Sequence, residues 1–269
     1  MSELEVTPAP ENDIPGVKKQ VAAKIRGMLV KGRRHFGSAG ASLTHQLHNP
    51  ELRGTAGFKP QLVEAGLTGE RETSLIIREV MEKYPNAVLC DSVHIRGSEN
   101  NDELSAGPED GEIEDNGFYD DGKDTDHVLI IGDHVFIIDS KRWRKKARYT
   151  VNDKYQVLRN NKPFPGGNVR ASAAKYLWKD YLHEPGSVSS LVVVNNEEVS
   201  TFRNKAWFKS PFKLVDIGRF DDLLEKEVKK LKPGSHIRTD LVSQVALSCI
   251  APYDPYKEFL KSTGHTDFY

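Results

Sequence analysis

The chain has 269 residues, 38% of them hydrophobic, enough for one domain with a full core plus tails or elaborations. Its 38 Lys and Arg nearly balance 39 Asp and Glu, so no global basic excess marks a nucleic-acid binder, and charge is distributed in blocks instead. Cys90 and Cys249 are far apart and match no zinc or redox spacing, which suits a reduced, cytoplasmic chain; no apolar run reaches the length of a membrane span, and the acidic start lacks the apolar stretch of a signal peptide.

Residues 1–16 combine prolines with acids and read as disordered. From Val17 the character changes. Val21, Ile25, Met28 and Leu29 recur at helical spacing among Lys24, Arg26, Lys31, Arg33 and Arg34. This reads as an amphipathic helix packed on the domain with a solvated basic face, in preference to an arm that grips phosphates. Residues 37–68 show no clear periodicity. The stretch GLTGERETSLIIREVMEKYP predicts a helix capped near Thr68 and stopped by Pro85. Glu70 and Glu72 then fall in its first turn, where an acid by default complements the helix dipole. AVLCDSVHI, 87–95, reads as a strand. An acidic insertion, about 97–125, follows and reads as a disordered loop between strands.

DHVLIIGDHVFIIDSK, from Asp126 to Lys141, predicts a β-hairpin: two β-branched runs flank Gly132-Asp133, a dipeptide suited to a two-residue turn. With that turn Ile131 faces His134, Val128 faces Ile137, and Asp126 faces Asp139. Alternation then carries Asp126, Asp139 and Lys141 to one face at the open end. Two adjacent carboxylates repel unless a cation intervenes, and hard divalent ions such as Mg²⁺ take oxygen ligands. Behind the hairpin, Arg142, Arg144, Lys145, Lys146 and Arg148 interleave with Trp143 and Tyr149, a pattern suited to a phosphodiester backbone. A second small hairpin spans 146–159. A helix over 168–182 follows, with Lys175 on its polar side. Strands at 187–195 and 213–217, a helix at 220–231 and a short helix near 239–249 complete the reading. No Walker loop is present, so no nucleotide cofactor is indicated.

The order helix, strand, hairpin, helix, strand and the D…DxK spacing resemble the PD-(D/E)XK nuclease superfamily. More narrowly, GLTGE at 66–70, DHVLIIGDHVFIIDSKRW at 126–143 and the helix-then-VVV strand at 168–194 resemble the nuclease-related domain (NERD) family. The resemblance implies an α/β fold with a restriction-endonuclease-like α-β-β-β-α-β core, a mixed central sheet flanked by helices. It places the domain at 66–231, between an N-terminal basic extension (1–65) and a C-terminal extension (232–269). It further implies a metal-dependent nuclease, with Asp126, Asp139 and Glu70 as catalytic acids holding Mg²⁺ or Mn²⁺, Lys141 as catalytic lysine, and DNA before RNA as partner. Arg142, Arg144, Lys145, Lys146 and Lys175 are the residues expected to contact nucleic acid. Asp139 stands where the family more often has Glu. Val169 and Ser172 stand where its later helix usually has Pro and Gln, with Lys175 as the substitute. A nuclease-fold module that binds nucleic acid or a protein without efficient catalysis is the competing expectation.

Overall fold

The computed structural model describes residues 6–7, 19–48, 59–96, 122–167, 169, 178, 181–182, 184–196, 198–231, 236–252 and 254. The elements in chain order are β1 (Val6–Thr7), α1 (Lys19–Val30), β2 (His35–Phe36), α2 (Ala41–His48), α3 (Pro60–Met81), β3 (Ala87–Arg96), β4 (Gly122–Ile131) and β5 (His134–Lys141). Then come β6 (Arg148–Val151), β7 (Val157–Arg159), β8 (Ser187–Val194), β9 (Ser200–Thr201), α4 (Lys205–Lys209), β10 (Lys213–Asp216), α5 (Phe220–Leu231), β11 (Ile237–Arg238) and α6 (Thr239–Leu247). The fold is α/β.

Its centre is a mixed sheet of six strands in the order β10-β8-β5-β4-β3-β2. β3, β4 and β5 form an antiparallel meander, while β8 lies parallel to β5 and β10 parallel to β8. Successive side chains leave a strand on opposite faces, so the apolar runs supply two cores. On one face Leu89, Leu129, Phe136 and Ile138 pack with Ile77 and Val80 of α3 and with Phe220, Leu224 and Val228 of α5. On the other, Val88, Val128, Ile130 and Ile137 pack with Ile25 and Leu29 of α1, Leu241 and Val245 of α6, and Trp178. Segments on either side of 66–231 therefore contribute to this second core. α1 does so with the apolar stripe its periodicity predicts, and β1 pairs in parallel with β11. A smaller sheet, β7-β6-β9, packs its inner residues Tyr149, Val151 and Val157 over Val192, Val194 and Leu214.

The hairpin has the expected register, Val128 opposite Ile137 and Ile131 opposite His134. Gly132 turns it with a φ of 59°, a left-handed conformation that a side chain would strain, and Asp133 has no positive φ, the pattern of a type II′ turn.

Two boundaries differ from the sequence reading. α3 starts at Pro60, with Lys59 as its N-cap, and runs straight through Gly66 and Gly69. Thr68 is no cap: its hydroxyl donates back to the Glu64 carbonyl at 3.0 Å inside the helix. Proline at the first helical position, where the missing N–H is unneeded, is a stronger start signal than the Gly-flanked threonine. Glu70 and Glu72 consequently sit mid-helix, away from the dipole's positive end. β4 starts at Gly122, so 122–125 are strand rather than insertion; residues 97–121 lie outside the described residues. So does most of the expected helix over 168–182, Lys175 included, although Trp178 and Tyr181 are helical.

Candidate active site at the open end of the hairpin

The antiparallel ladder between β4 and β5 runs from the turn to His127 and Ile138, and the residues just beyond that last pair carry the polar groups. The Ser140 N–H donates to Asp126 Oδ2 at 2.6 Å, which ties the first acid to the strand that bears the second. Lys141 Nζ donates to Asp139 Oδ1 at 2.5 Å. Glu70 reaches this corner from α3 and is 6% exposed. The Gly40 N–H donates to its carboxylate. Gly40 has a φ of 76°, and a Cβ there would fall 2.0 Å from Leu67 Cδ1, so only glycine lets this amide approach.

Electrostatics show that the four groups act on one another. Burial pushes the Glu70 carboxyl up to about 7; Lys141 and the Gly40 amide oppose this, and Asp139 and Asp91 add to it. Burial also raises Asp126 well above the usual carboxylate range, helped by Glu70 and Asp139 and resisted by Lys141 and His127. Burial pulls the Lys141 ammonium down, but Asp139, Asp126, the hydrogen bond and Glu70 outweigh it and hold the group above its ordinary value. Three acids thus crowd one ammonium, and burial with mutual repulsion opposes their full ionisation unless a further cation answers them. Such a donor set suits a divalent ion. Among the described residues, however, no three His, Cys, Asp or Glu side chains stand in metal-holding geometry. With Lys141 drawn onto Asp139, an ion there needs the acids to swing together.

Asp91 anchors a second polar cluster beneath the first. It accepts from Ser74 Oγ at 2.7 Å and lies 2.8 Å from His35 Nε2 and 2.7 Å from His127 Nδ1. Burial alone would raise its carboxyl, but the bonds to His127, His35 and Ser74 hold it well below the usual range. An ionised Asp91 takes the proton-bearing nitrogen of each ring. His127 Nε2 then faces Ser140 Oγ at 3.0 Å. Asn195, just past β8, makes the remaining tie. Its N–H donates to the Lys141 carbonyl at 2.8 Å, and its Nδ2 donates to the Gly69 carbonyl and Thr73 Oγ1. One residue, through its side chain on one side and its backbone amide on the other, therefore fixes the helix bearing Glu70 against the strand bearing Lys141.

The structure brings Asp126, Asp139 and Lys141 to one corner, as the hairpin register anticipated, and sets Glu70, a residue that only the resemblance implied, beside them. The basic block divides. Arg144, Lys145 and Lys146 are exposed, with Lys146 3.6 Å from Glu198, whereas Arg142 is partly buried and 3.6 Å from Glu72. Tyr149 is fully buried, and the partly buried Trp143 and Phe164 pack around it, so these rings are engaged with one another and are not free stacking platforms. Sequence reasoning missed Asp91, His35, Ser74 and Asn195. The one signal available was Asp91, an acid in the middle of an otherwise apolar strand. Comparison with family models, with curated proteins and with solved structures finds no match to this chain.

Proposed function

We propose that the chain is a metal-dependent nuclease that hydrolyses phosphodiester bonds, of DNA before RNA, on a PD-(D/E)XK core of the nuclease-related-domain type. The element order α3, β3, β4, β5, segment 168–182, β8 supports the core, as does β8 lying parallel to β5 beside the antiparallel meander. The observation that carries the activity is the meeting of Glu70, Asp126, Asp139 and Lys141 at one corner, where burial and mutual repulsion raise two of the three carboxyls.

In this reading Glu70, Asp126 and Asp139 hold Mg²⁺ or Mn²⁺, which when bound lowers the pKa of a water and offsets charge on the scissile phosphate. The chain's own part follows from its electrostatics. Lys141 stays an ammonium through neutral pH, so it serves as a fixed positive charge and donor to phosphoryl oxygens, not as a base. Asp126 keeps its place through the Ser140 amide, and Asn195 sets the spacing between Glu70 and Lys141. Arg144, Lys145 and Lys146, exposed shortly after β5, are in this reading the contacts for the backbone of a bound strand.

The test is cleavage of plasmid and of single-stranded DNA with Mg²⁺ or Mn²⁺ by the wild type, Lys141→Ala and Asp126→Ala. Wild-type cleavage that both substitutions abolish supports the enzyme. A wild type as inert as the variants, yet still retarding DNA on a gel, replaces it with the competing reading, a nuclease-fold binding module. The Lys141–Asp139 bond and the lack of a ready metal geometry among the described residues favour that second reading.

A further inference from the structure

Charge is nearly balanced over the whole chain but not in the small sheet and the helix beside it. Residues 142–167 hold eight Lys and Arg against Asp153 alone, and residues 199–213 hold four Lys and Arg and no acid. The two stretches are adjacent in space because β6 pairs with β9, Arg148 beside Ser200 and Tyr149 beside Thr201. The inner face of this sheet is core. Two aromatic rings here are left in solvent, Phe202 just past β9 at 50% exposure and Phe208 on the adjoining α4 at 68%. The Arg148 guanidinium lies 3.8 Å from the Phe202 ring centroid, already stacked. Arg203 and Lys213 lie 4.8 Å and 4.6 Å from the centroid of Trp207, next to Phe208.

The backbone beneath these rings is fixed. The Phe202 N–H donates to the Tyr149 carbonyl at 2.8 Å, Asn204 Nδ2 donates to the Val151 carbonyl at 2.7 Å, and Asn204 Oδ1 caps the short helix at the Trp207 N–H, 2.8 Å away. The surface is also fixed to the open end of the hairpin. Asn195 bonds the Lys141 carbonyl, and the neighbouring Asn196 side chain bonds the Trp143 carbonyl. A single exposed phenylalanine is ordinary, and a basic stretch is usually just solvated. Exposed rings on a fixed backbone among these cations have a more specific use. Phosphates answer the charge, and bases answer the rings. Paired bases hide their faces in the stack, so the fitting ligand is unpaired.

We propose that the outer side of β6 and β9 with α4 is a docking surface for single-stranded nucleic acid. Phe202, backed by Arg148, and Phe208 are its stacking platforms, and Arg203, Lys205 and Lys209 its phosphate contacts. This rests on the nuclease reading only for its purpose, which is to lead a strand toward Lys141; the binding itself does not need catalysis.

Fluorescence anisotropy of the full chain in EDTA, where no divalent ion supports cleavage, tests it. The probes are an oligo(dT) of about 16 nucleotides, the matching duplex, and an abasic oligonucleotide of the same length. Oligo(dT) is expected to bind about ten-fold or more tightly than the abasic strand, and more tightly than the duplex. Phe202→Ala and Phe208→Ala each weaken oligo(dT) about five-fold or more and leave the abasic strand unchanged. Lys209→Glu weakens both single strands and flattens their salt dependence. Equal affinity for abasic and base-bearing strands, preference for duplex, or indifference to both Phe substitutions overturns the proposal. Near-ultraviolet circular dichroism of each variant separates loss of binding from loss of fold. Base-dependent binding without any hydrolysis in Mn²⁺ keeps this surface and removes the nuclease reading. Hydrolysis by a wild type that fails the base comparison does the opposite.

Discussion

Asp91 and Glu70 are both buried carboxyls near the open end of the hairpin, and they are treated in opposite ways. Asp91 receives Ser74, His35 and His127, and these bonds overcome burial so that it stays ionised. Glu70 receives one backbone amide, and burial lifts it to about 7. An acid that the fold satisfies is part of the scaffold. An acid that the fold strands beside other acids loses stability on ionising, and such arrangements cluster where chemistry is done. The comparison separates two neighbouring clusters that exposure alone does not distinguish.

The largest expected effect falls on the unsatisfied side. Lys141→Ala lowers Mn²⁺-dependent plasmid cleavage by at least about 100-fold at a temperature where circular dichroism shows the variant still folded. A variant that cleaves like the wild type breaks the distinction. On the satisfied side, Asp91→Ala leaves His127, His35 and Ser74 without their acceptor and costs about 3 kcal/mol in urea unfolding at neutral pH. Because the Asp91 carboxyl is held below its ordinary value, the stability it contributes is present above that value and is lost as the pH falls through it. The penalty of Asp91→Ala therefore shrinks below about pH 4.

Glu70 carries the opposite sign. Its carboxyl is raised, so its contribution is full below the ordinary value of 4.5 and is lost as the pH rises through about 7. Glu70→Gln, which cannot ionise, is more stable than the wild type at pH 8 by up to about 3 kcal/mol and equal to it near pH 4. Mn²⁺ raises the melting temperature of the wild type and not that of Glu70→Gln. A variant equally stable at both pH values shows that Glu70 is not the strained acid the geometry implies.

Asn195→Ala, which unties α3 from β5, costs about 1–2 kcal/mol and also lowers cleavage, because Glu70 and Lys141 lose their fixed spacing. The smallest effect belongs to Lys146 and Glu198, both exposed and 3.6 Å apart. Glu198→Ala changes stability by less than about 0.5 kcal/mol.

The sequence by itself determined the hairpin and the neighbours of Asp126. Alternation and a glycine-led turn are local codes, and once the turn is set every side chain on both strands has its face. The stripes of α1 and α5, and the strands that became β3, β8 and β10, follow from periodicity in the same way. Tertiary structure alone decided the rest. α3 began earlier than its glycines suggested, because packing of Ile77 and Val80 on the sheet carries a helix through residues that disfavour it. Tyr149 went inside with Trp143 packed partly buried against it while Phe202 and Phe208 stayed out, since which rings are covered depends on what folds over them. His35, Ser74 and His127 converge on Asp91 from three elements, and Asn195 reaches Gly69 across 126 positions of chain. A hydrogen bond between distant residues leaves no periodic trace in the residues that make it. For that reason the acids at the corner were legible, and the scaffold that holds them apart was not.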